Sequence, residues 1–342
     1  MAACTCIIKS KEYAHRVAIS PDGQQIAVAD KSVLLLNART GGLLFDTALR
    51  YGGCLAFSPS QQPLLLAVGD RDGIIWVWDC SSNLCVAKLN NHRCFVDRIA
   101  FSPDGRLLAS AAWCTVQLWR TDDWDAPATV LMDHRYTHVW GVSFSCDGHL
   151  LATCAGTVHL WNTPTSIPII HNNIGGRHVV FSPVDSTLLA YVGGCHYPVL
   201  ARVRGNNAIT VEHELRGHTD TVHRMSFSPC GQELASCSQD YTVRVWSVVS
   251  GACLHTLQNH WIVSDVAFFP NGKQLAACSS SVKIWTLCAW SDRTHYLFGA
   301  SLKAAVFTLM CVRARLKQEQ KQQLPMELWL MVFEQLAVCH RL

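Results

Sequence analysis

Residues Leu215–Ser247 read LRGHTDTVHRMSFSPCGQELASCSQDYTVRVWS. Polar and apolar residues alternate through VHRMSF, ELASCS and TVRVW, which is the period of a strand with one buried face. Between these runs stand Pro-Cys-Gly and Gln-Asp, residues that favour tight reversals. The stretch therefore predicts three consecutive antiparallel strands, the last closed by Trp246.

The SFSPCG at its centre has six counterparts: AISPDG from Ala18, AFSPSQ from Ala56, AFSPDG from Ala100, SFSCDG from Ser143, VFSPVD from Val180 and FFPNG from Phe268. The anchors Ile19, Phe57, Phe101, Phe144, Phe181, Phe227 and Phe268 lie 37 to 46 residues apart. A period near 40 to 45 residues points to four-stranded propeller blades. The closing strand returns as IIWVWD ending at Asp79, VQLWR at Arg120, VHLWN at Asn162 and VKIWT at Thr286, whereas the first and fifth units close with LLLNA and VLARV and lack the Trp. The expected fold is all-β, a seven-bladed β-propeller of four-stranded antiparallel blades over residues 1–299, followed by a short C-terminal α-helical segment over 300–342. An open last blade would expose a sheet edge. Cys4–Ile8 and Thr294–Phe298 are both candidates for its outer strand.

With seven such units in register, the chain resembles the WD-repeat β-propeller family over residues 1 to 290. The resemblance implies a buried hydrogen-bonded set in each complete blade: a His before the first strand, a Ser or Thr in the second, an Asp at the next turn and the Trp of the third. Blade 6 carries all four as His218, Ser236, Asp240 and Trp246. Other blades keep fragments, such as Asp72 with Trp78, or His92 with Trp119. A Ser, His and Asp also make up a catalytic triad, but a triad needs an exposed nucleophile in a pocket. The repeat explains these residues as scaffold.

Composition narrows the class. At 342 residues, 49% hydrophobic and 15% charged, the chain is long enough either for two average domains or for one large all-β unit with an appendage. A net charge of +3 without a long basic block gives no footprint for nucleic acid, and no apolar run approaches the ~20 residues that span a bilayer. The 17 cysteines are odd in number and include no CxxC pair, so no metal centre is expected; Cys154, Cys237 and Cys278 read as reduced, buried residues. A soluble intracellular protein, cytoplasmic or nuclear, is expected. No phosphate loop, HExxH or paired-cysteine motif is present, so neither an enzyme nor a cofactor is expected.

In a propeller the first strand of each blade lines the central channel, and the loops at its start gather on one face. Counting back from each anchor gives a rim of His15/Arg16, Gly53/Cys54, Asp97/Arg98, Trp140/Gly141, Arg177/His178, His223/Arg224 and Ser264/Asp265. Arg and Trp are the residues enriched at interaction hot spots. Arg16, Arg98, Arg177 and Arg224 are accordingly expected to meet an acidic or phosphorylated peptide, with Trp140 as anchor and Trp261 nearby.

From Ser301 the pattern changes to helical spacing, with Leu302, Val306 and Leu309 on one stripe, then Pro325 opening a second helix that carries Leu328, Trp329 and Phe333. LPMELWLMVFEQL from Leu324 resembles the opening of an F-box, which docks a Skp-type adaptor of cullin ubiquitin ligases. SLKAAVFTLM from Ser301 is similar in outline to the elongin-binding helix of a SOCS box. Either resemblance implies a substrate-recognition subunit of a cullin-RING ligase, with elongin B/C or a Skp-type adaptor as partner. The other reading is a WD-repeat scaffold without a ligase link, its terminal helices packed on the propeller.

Overall fold

Why the repeat was so regular is plain from its turns. In the computed structural model Ser102 Oγ donates to Asp104 Oδ1 at 2.6 Å and accepts the Leu107 N–H at 2.9 Å, and Ser145 bonds Asp147 and Leu150 in the same way. Gly105 and Gly148 close these turns at φ 72° and 73°, a left-handed conformation that costs glycine least. Each Ser-x-Asp-Gly is thus a self-satisfied hairpin between the first and second strands of a blade. The structure describes residues 2–287, apart from 10–12, 50–51, 61, 114, 134–137, 173–175, 194–195 and 206–207.

The described residues form seven four-stranded antiparallel sheets. Before the first blade comes β1 (Ala2–Lys9). Blade 1 holds β2 (Arg16–Ile19), β3 (Gln25–Ala29), β4 (Val33–Asn37) and β5 (Leu43–Asp46); blade 2 holds β6 (Cys54–Phe57), β7 (Leu65–Gly69), β8 (Ile74–Asp79) and β9 (Leu84–Asn90). Blade 3 holds β10 (Val96–Phe101), β11 (Leu107–Ala112), β12 (Thr115–Arg120) and β13 (Thr129–Asp133); blade 4 holds β14 (Gly141–Phe144), β15 (Leu150–Cys154), β16 (Val158–Asn162) and β17 (Ile167–Asn172). Blade 5 holds β18 (Val179–Phe181), β19 (Leu188–Val192), β20 (Pro198–Val203) and β21 (Ile209–Glu214); blade 6 holds β22 (Val222–Phe227), β23 (Glu233–Ser238), β24 (Thr242–Ser247) and β25 (Cys253–Gln258). Blade 7 holds β26 (Asp265–Phe268), β27 (Gln274–Cys278) and β28 (Ser281–Leu287).

The first strand of each blade lies against the first strands of both neighbours, so that β2, β6, β10, β14, β18, β22 and β26 close a circle. The core lies between blades, where the apolar faces of adjacent sheets meet. Val116 and Leu118 of blade 3, for example, pack with Val142, Leu151 and Trp161 of blade 4. Of the two candidates for the last outer strand, β1 takes the place beside β28, which leaves blade 7 with four strands. Thr294–Phe298 lies outside the described residues, as does the whole expected helical segment at 300–342.

The four-residue set of blade 6 is brought together as one chain of hydrogen bonds. Trp246 Nε1 donates to Ser236 Oγ at 2.8 Å, and Ser236 Oγ lies 2.7 Å from His218 Nε2. His218 Nδ1 lies 2.8 Å from Asp240 Oδ2. Because an ionised carboxylate only accepts, Nδ1 carries the proton and Nε2 accepts from the serine. Burial pushes the Asp240 carboxyl up, but hydrogen bonds from His218 and Thr242 outweigh it and hold the group well below the carboxylate range. Blade 3 repeats the arrangement without an acid: Trp119 Nε1 donates to Ser110 Oγ at 2.8 Å, His92 Nε2 lies 2.7 Å from that oxygen, and Thr115 Oγ1 stands at 3.1 Å from Nδ1.

The fragment expected in blade 2 needs correction. Asp72 and Trp78 are not linked; the bond formed is from Trp76 Nε1 to Asp70 Oδ2, at 2.8 Å. Val68, which pairs with Trp76 in the register, stands where the complete blade has Ser236, so the Trp78 indole N–H is buried without a partner. Asp70 instead caps the turn, accepting the N–H groups of Asp72 and Ile74.

Candidate interaction surface at the channel mouth

Two local irregularities decide what faces the channel. In blade 3 the register of β10 against β11 jumps between Val96 and Arg98, and in blade 6 that of β22 against β23 jumps between Val222 and Arg224. Asp97 and His223 are therefore the extra residues of two β-bulges. A bulge bends its strand and re-aims side chains, a device often found beside functional sites. Here each bulge is followed at once by an arginine.

Arg16, Arg98, Arg177 and Arg224 line one opening of about 260 Å³, together with Asp97, Trp140, His223 and Ser264. Four guanidinium groups thus face one carboxylate among the lining residues. Arg98 and Arg224 are buried, at 9% and 6% exposure, Arg16 is half-buried and Arg177 is exposed. Arg16 donates to the His15 carbonyl at 2.8 Å, and Arg98 donates to the Asp97 carbonyl. The Nε of Arg16, the Nε of Arg98 and Nη2 of Arg224 are buried with no hydrogen-bond partner.

Such charges are held at a cost. Burial, and then Arg224 and Arg16 beside it, pull Arg98 well below the usual guanidinium range; burial and Arg16 bring Arg224 down to about 9. His178 lies buried in the same group and is held well below its ordinary value by burial and by Arg224, Arg98 and Arg16, so it stays neutral. His223 and His15 are lowered for the same two reasons. Burial raises the carboxyl of Asp97, although His138 and the arginines pull the other way. The charged forms of Arg98 and Arg224 are thus disfavoured, and an anion beside them would relieve this.

Five of the six rim residues named from the sequence line this one mouth: Arg16, Arg98, Trp140, Arg177 and Arg224. Trp261 does not; it stands 60% exposed between β25 and β26. Leu302, Val306, Leu309, Leu324, Pro325, Leu328, Trp329 and Phe333 lie outside the described residues. The sequence reading missed Asp97 with His138, whose Nε2 lies 3.2 Å from Asp97 Oδ2. It also missed the ring stack of His138 on Trp140, with centroids 4.0 Å apart at 24°. No spacing rule places His138, which enters from a connection rather than a strand. Cys54, Cys154, Cys237 and Cys278 are free thiols buried in the innermost and second strands. Burial pushes Cys54 and Cys154 up to about 12. Among the described residues no cluster of His, Cys, Asp and Glu could hold a metal ion.

The model of the family described as "WD domain, G-beta repeat" matches residues 83–120, 126–162, 209–247 and 251–286. Among curated relatives, Periodic tryptophan protein 2 of Arabidopsis thaliana is 29% identical over 232 residues, 62% of this chain and 24% of that protein. Apoptotic protease-activating factor 1 of Homo sapiens is 28% identical over 290 residues, 79% of this chain and 22% of that protein. Target of rapamycin complex subunit wat1 of Schizosaccharomyces pombe is 26% identical over 238 residues, 55% of this chain and 76% of that protein. The chain thus spans only about a quarter of the first two relatives. The beta-propeller domain of Myceliophteria thermophila Cps50 (Swd1) superposes with a TM-score of 0.75 at 15% identity, covering 84% of this chain and all of that one, a likeness of fold. The chain is a seven-bladed propeller, four stretches of which match the model of the WD domain, G-beta repeat family.

Proposed function

We propose that this propeller is a protein-interaction module whose channel mouth receives an acidic or phosphorylated segment of a partner. The observation that carries the reading is the convergence of four arginines, three with unpartnered buried N–H groups, on one opening beside an exposed tryptophan. Guanidinium groups bind carboxylates and phosphates through charge-assisted, often bidentate hydrogen bonds. Ser264, the one hydroxyl of the lining, donates to the Ala14 carbonyl rather than to a histidine, so the mouth holds no paired nucleophile and base. Changing Arg98, Trp140 and Arg224 together abolishes capture of a partner while the melting curve stays that of a folded propeller; capture retained by the triple variant moves the site elsewhere.

The finer part of the proposal concerns residues 300–342. Their likeness to a SOCS box or an F-box supports a substrate-recognition subunit of a cullin-RING ligase, which docks elongin B/C or a Skp-type adaptor through Leu302, Val306, Leu309, Leu324, Pro325, Leu328, Trp329 and Phe333. Affinity capture with the intact chain recovers an adaptor and its cullin, and a chain lacking 300–342 does not. Recovery of neither by the intact chain overturns the ligase link and leaves the second reading, a WD-repeat scaffold. The name of the wat1 relative, a complex subunit, favours that second reading.

A further inference from the structure

The mouth does not end at Trp140. Trp140 stacks on His138, and His138 in turn meets Trp113, with ring centroids 5.6 Å apart at 44°. Trp113 lies just beyond β11, whose last residue Ala112 pairs with Val96 at the start of β10, so all three rings stand at the channel-mouth end of blades 3 and 4. Asp97 links the middle ring to the mouth by proximity, since it lines the opening and its Oδ2 lies 3.2 Å from His138 Nε2. On its far side Trp113 lines a separate cleft of about 240 Å³ with Arg93, Ala112, Gln117 and Val130. Mouth, ring stack and cleft are thus joined by shared residues at each step.

Two features of this path are unspent. Trp113 is 55% and Trp140 41% exposed, a pair of indoles that reach water on either side of His138. Gln117 is buried to 3% exposure in the cleft; its Nε2 donates to the Asn91 carbonyl at 3.4 Å, but its Oε1 is buried with no partner. A buried acceptor left unpaired is destabilising. It is matched by an N–H donor entering the cleft.

We propose that these parts form one binding track for an extended peptide that places an acidic residue in the arginine mouth, lays an apolar side chain on the Trp140–His138–Trp113 stack and gives a backbone N–H to Gln117. The proposal rests on the mouth reading above and names the partner's chemistry beyond it. A cation over the indoles would be the other usual ligand of such rings. Here the four mouth arginines and Arg93 at the cleft repel it, so the residue beside the acid is apolar. An extended peptide supplies the rest, because it alternates side chains with free N–H groups along its length.

The intact chain is immobilised and offered a synthetic library of eight-residue peptides, with phosphoserine or glutamate fixed at the centre and both flanks randomised. The expected result is enrichment of Leu, Phe, Trp or Pro at a fixed offset on one side of the acid. Trp113→Ser, at an exposed position, weakens the best peptide at least fivefold and leaves its alanine-flanked version unchanged. Gln117→Leu lowers affinity for the best peptide but not for a version N-methylated at the residue entering the cleft. Arg224→Gln loses both peptides. Acid selection with no flanking preference, or a preference that survives Trp113→Ser, overturns the track and leaves the mouth reading standing. Failure of the unaltered chain to enrich acidic peptides at all overturns both. A single-stranded oligouridine that binds with dependence on Trp113, in the absence of peptide enrichment, overturns the peptide as occupant.

Discussion

Acid should weaken this propeller through blade 3 in particular. His92 is 5% exposed, its Nε2 accepts from Ser110, and Ser110 is already committed to the indole N–H of Trp119. The turn that supplies Asp240 to His218 is shortened in blade 3, and a neutral Thr115 hydroxyl takes its place. With no carboxylate to offset it, burial brings the His92 pKa down to about 4. In the unfolded chain the same imidazole titrates near ~6.5. The sign follows from which state holds the proton: between these values the unfolded chain is protonated and the folded one is not, so stability is full above pH ~6.5 and falls as the pH drops. At pH 5 the difference is roughly 1.5 units, or about 2 kcal/mol, growing to about 3 kcal/mol near pH 4. Urea titrations of the intact chain and of His92→Gln at pH 7.5 and pH 5 isolate the effect, since other groups titrate equally in both. The stability gap between the two proteins should shrink by about 2 kcal/mol at the lower pH. A gap unchanged by pH would refute the reasoning.

Other perturbations probe the remaining parts. Ser236→Ala strands the Trp246 N–H and His218 Nε2, both buried, and should cost about 2–4 kcal/mol, read as a lowered urea midpoint. The converse holds in blade 7, where the Trp285 indole N–H is buried without a partner and Ala277 occupies the place of that serine; Ala277→Ser should raise stability by about 1 kcal/mol, and a lower melting temperature would count against it. Arg224→Met removes a like charge from a buried group, so the melting temperature should hold or rise while acidic peptides bind at least tenfold more weakly. Deleting residues 2–9 uncovers the edge of β28, and light scattering should then show self-association together with a lowered melting temperature.

Much of the candidate site could be read along the chain because a propeller repeats one connection seven times. Any position counted from the Phe or Ile anchor falls at the same height in every blade, which is why spacing alone places Arg16, Arg98, Trp140, Arg177 and Arg224 on one rim. Counting failed where a neighbour decides. Asp72 and Trp78 have the right spacing, yet Val68 denies the indole its acceptor, and spacing says nothing of that missing hydroxyl. Trp261 has the right loop but is exposed and does not line the opening. His138 belongs to no repeat position and is found only through Asp97 and Trp140.

The sequence by itself determined the number of blades and the order of strands within each, since these are set by local alternation and turns, and its resemblance to the WD-repeat family pointed to the members of the blade 6 hydrogen-bond chain. Tertiary structure decided which strand closes the ring, because β1 and β28 stand at opposite ends of the propeller's sequence and are joined only when the circle is complete. It also decided which arginines are buried. Two bulges, invisible in residue type, turn Arg98 and Arg224 inward against Arg16, and the charge of the mouth arises from blades that meet only across the channel.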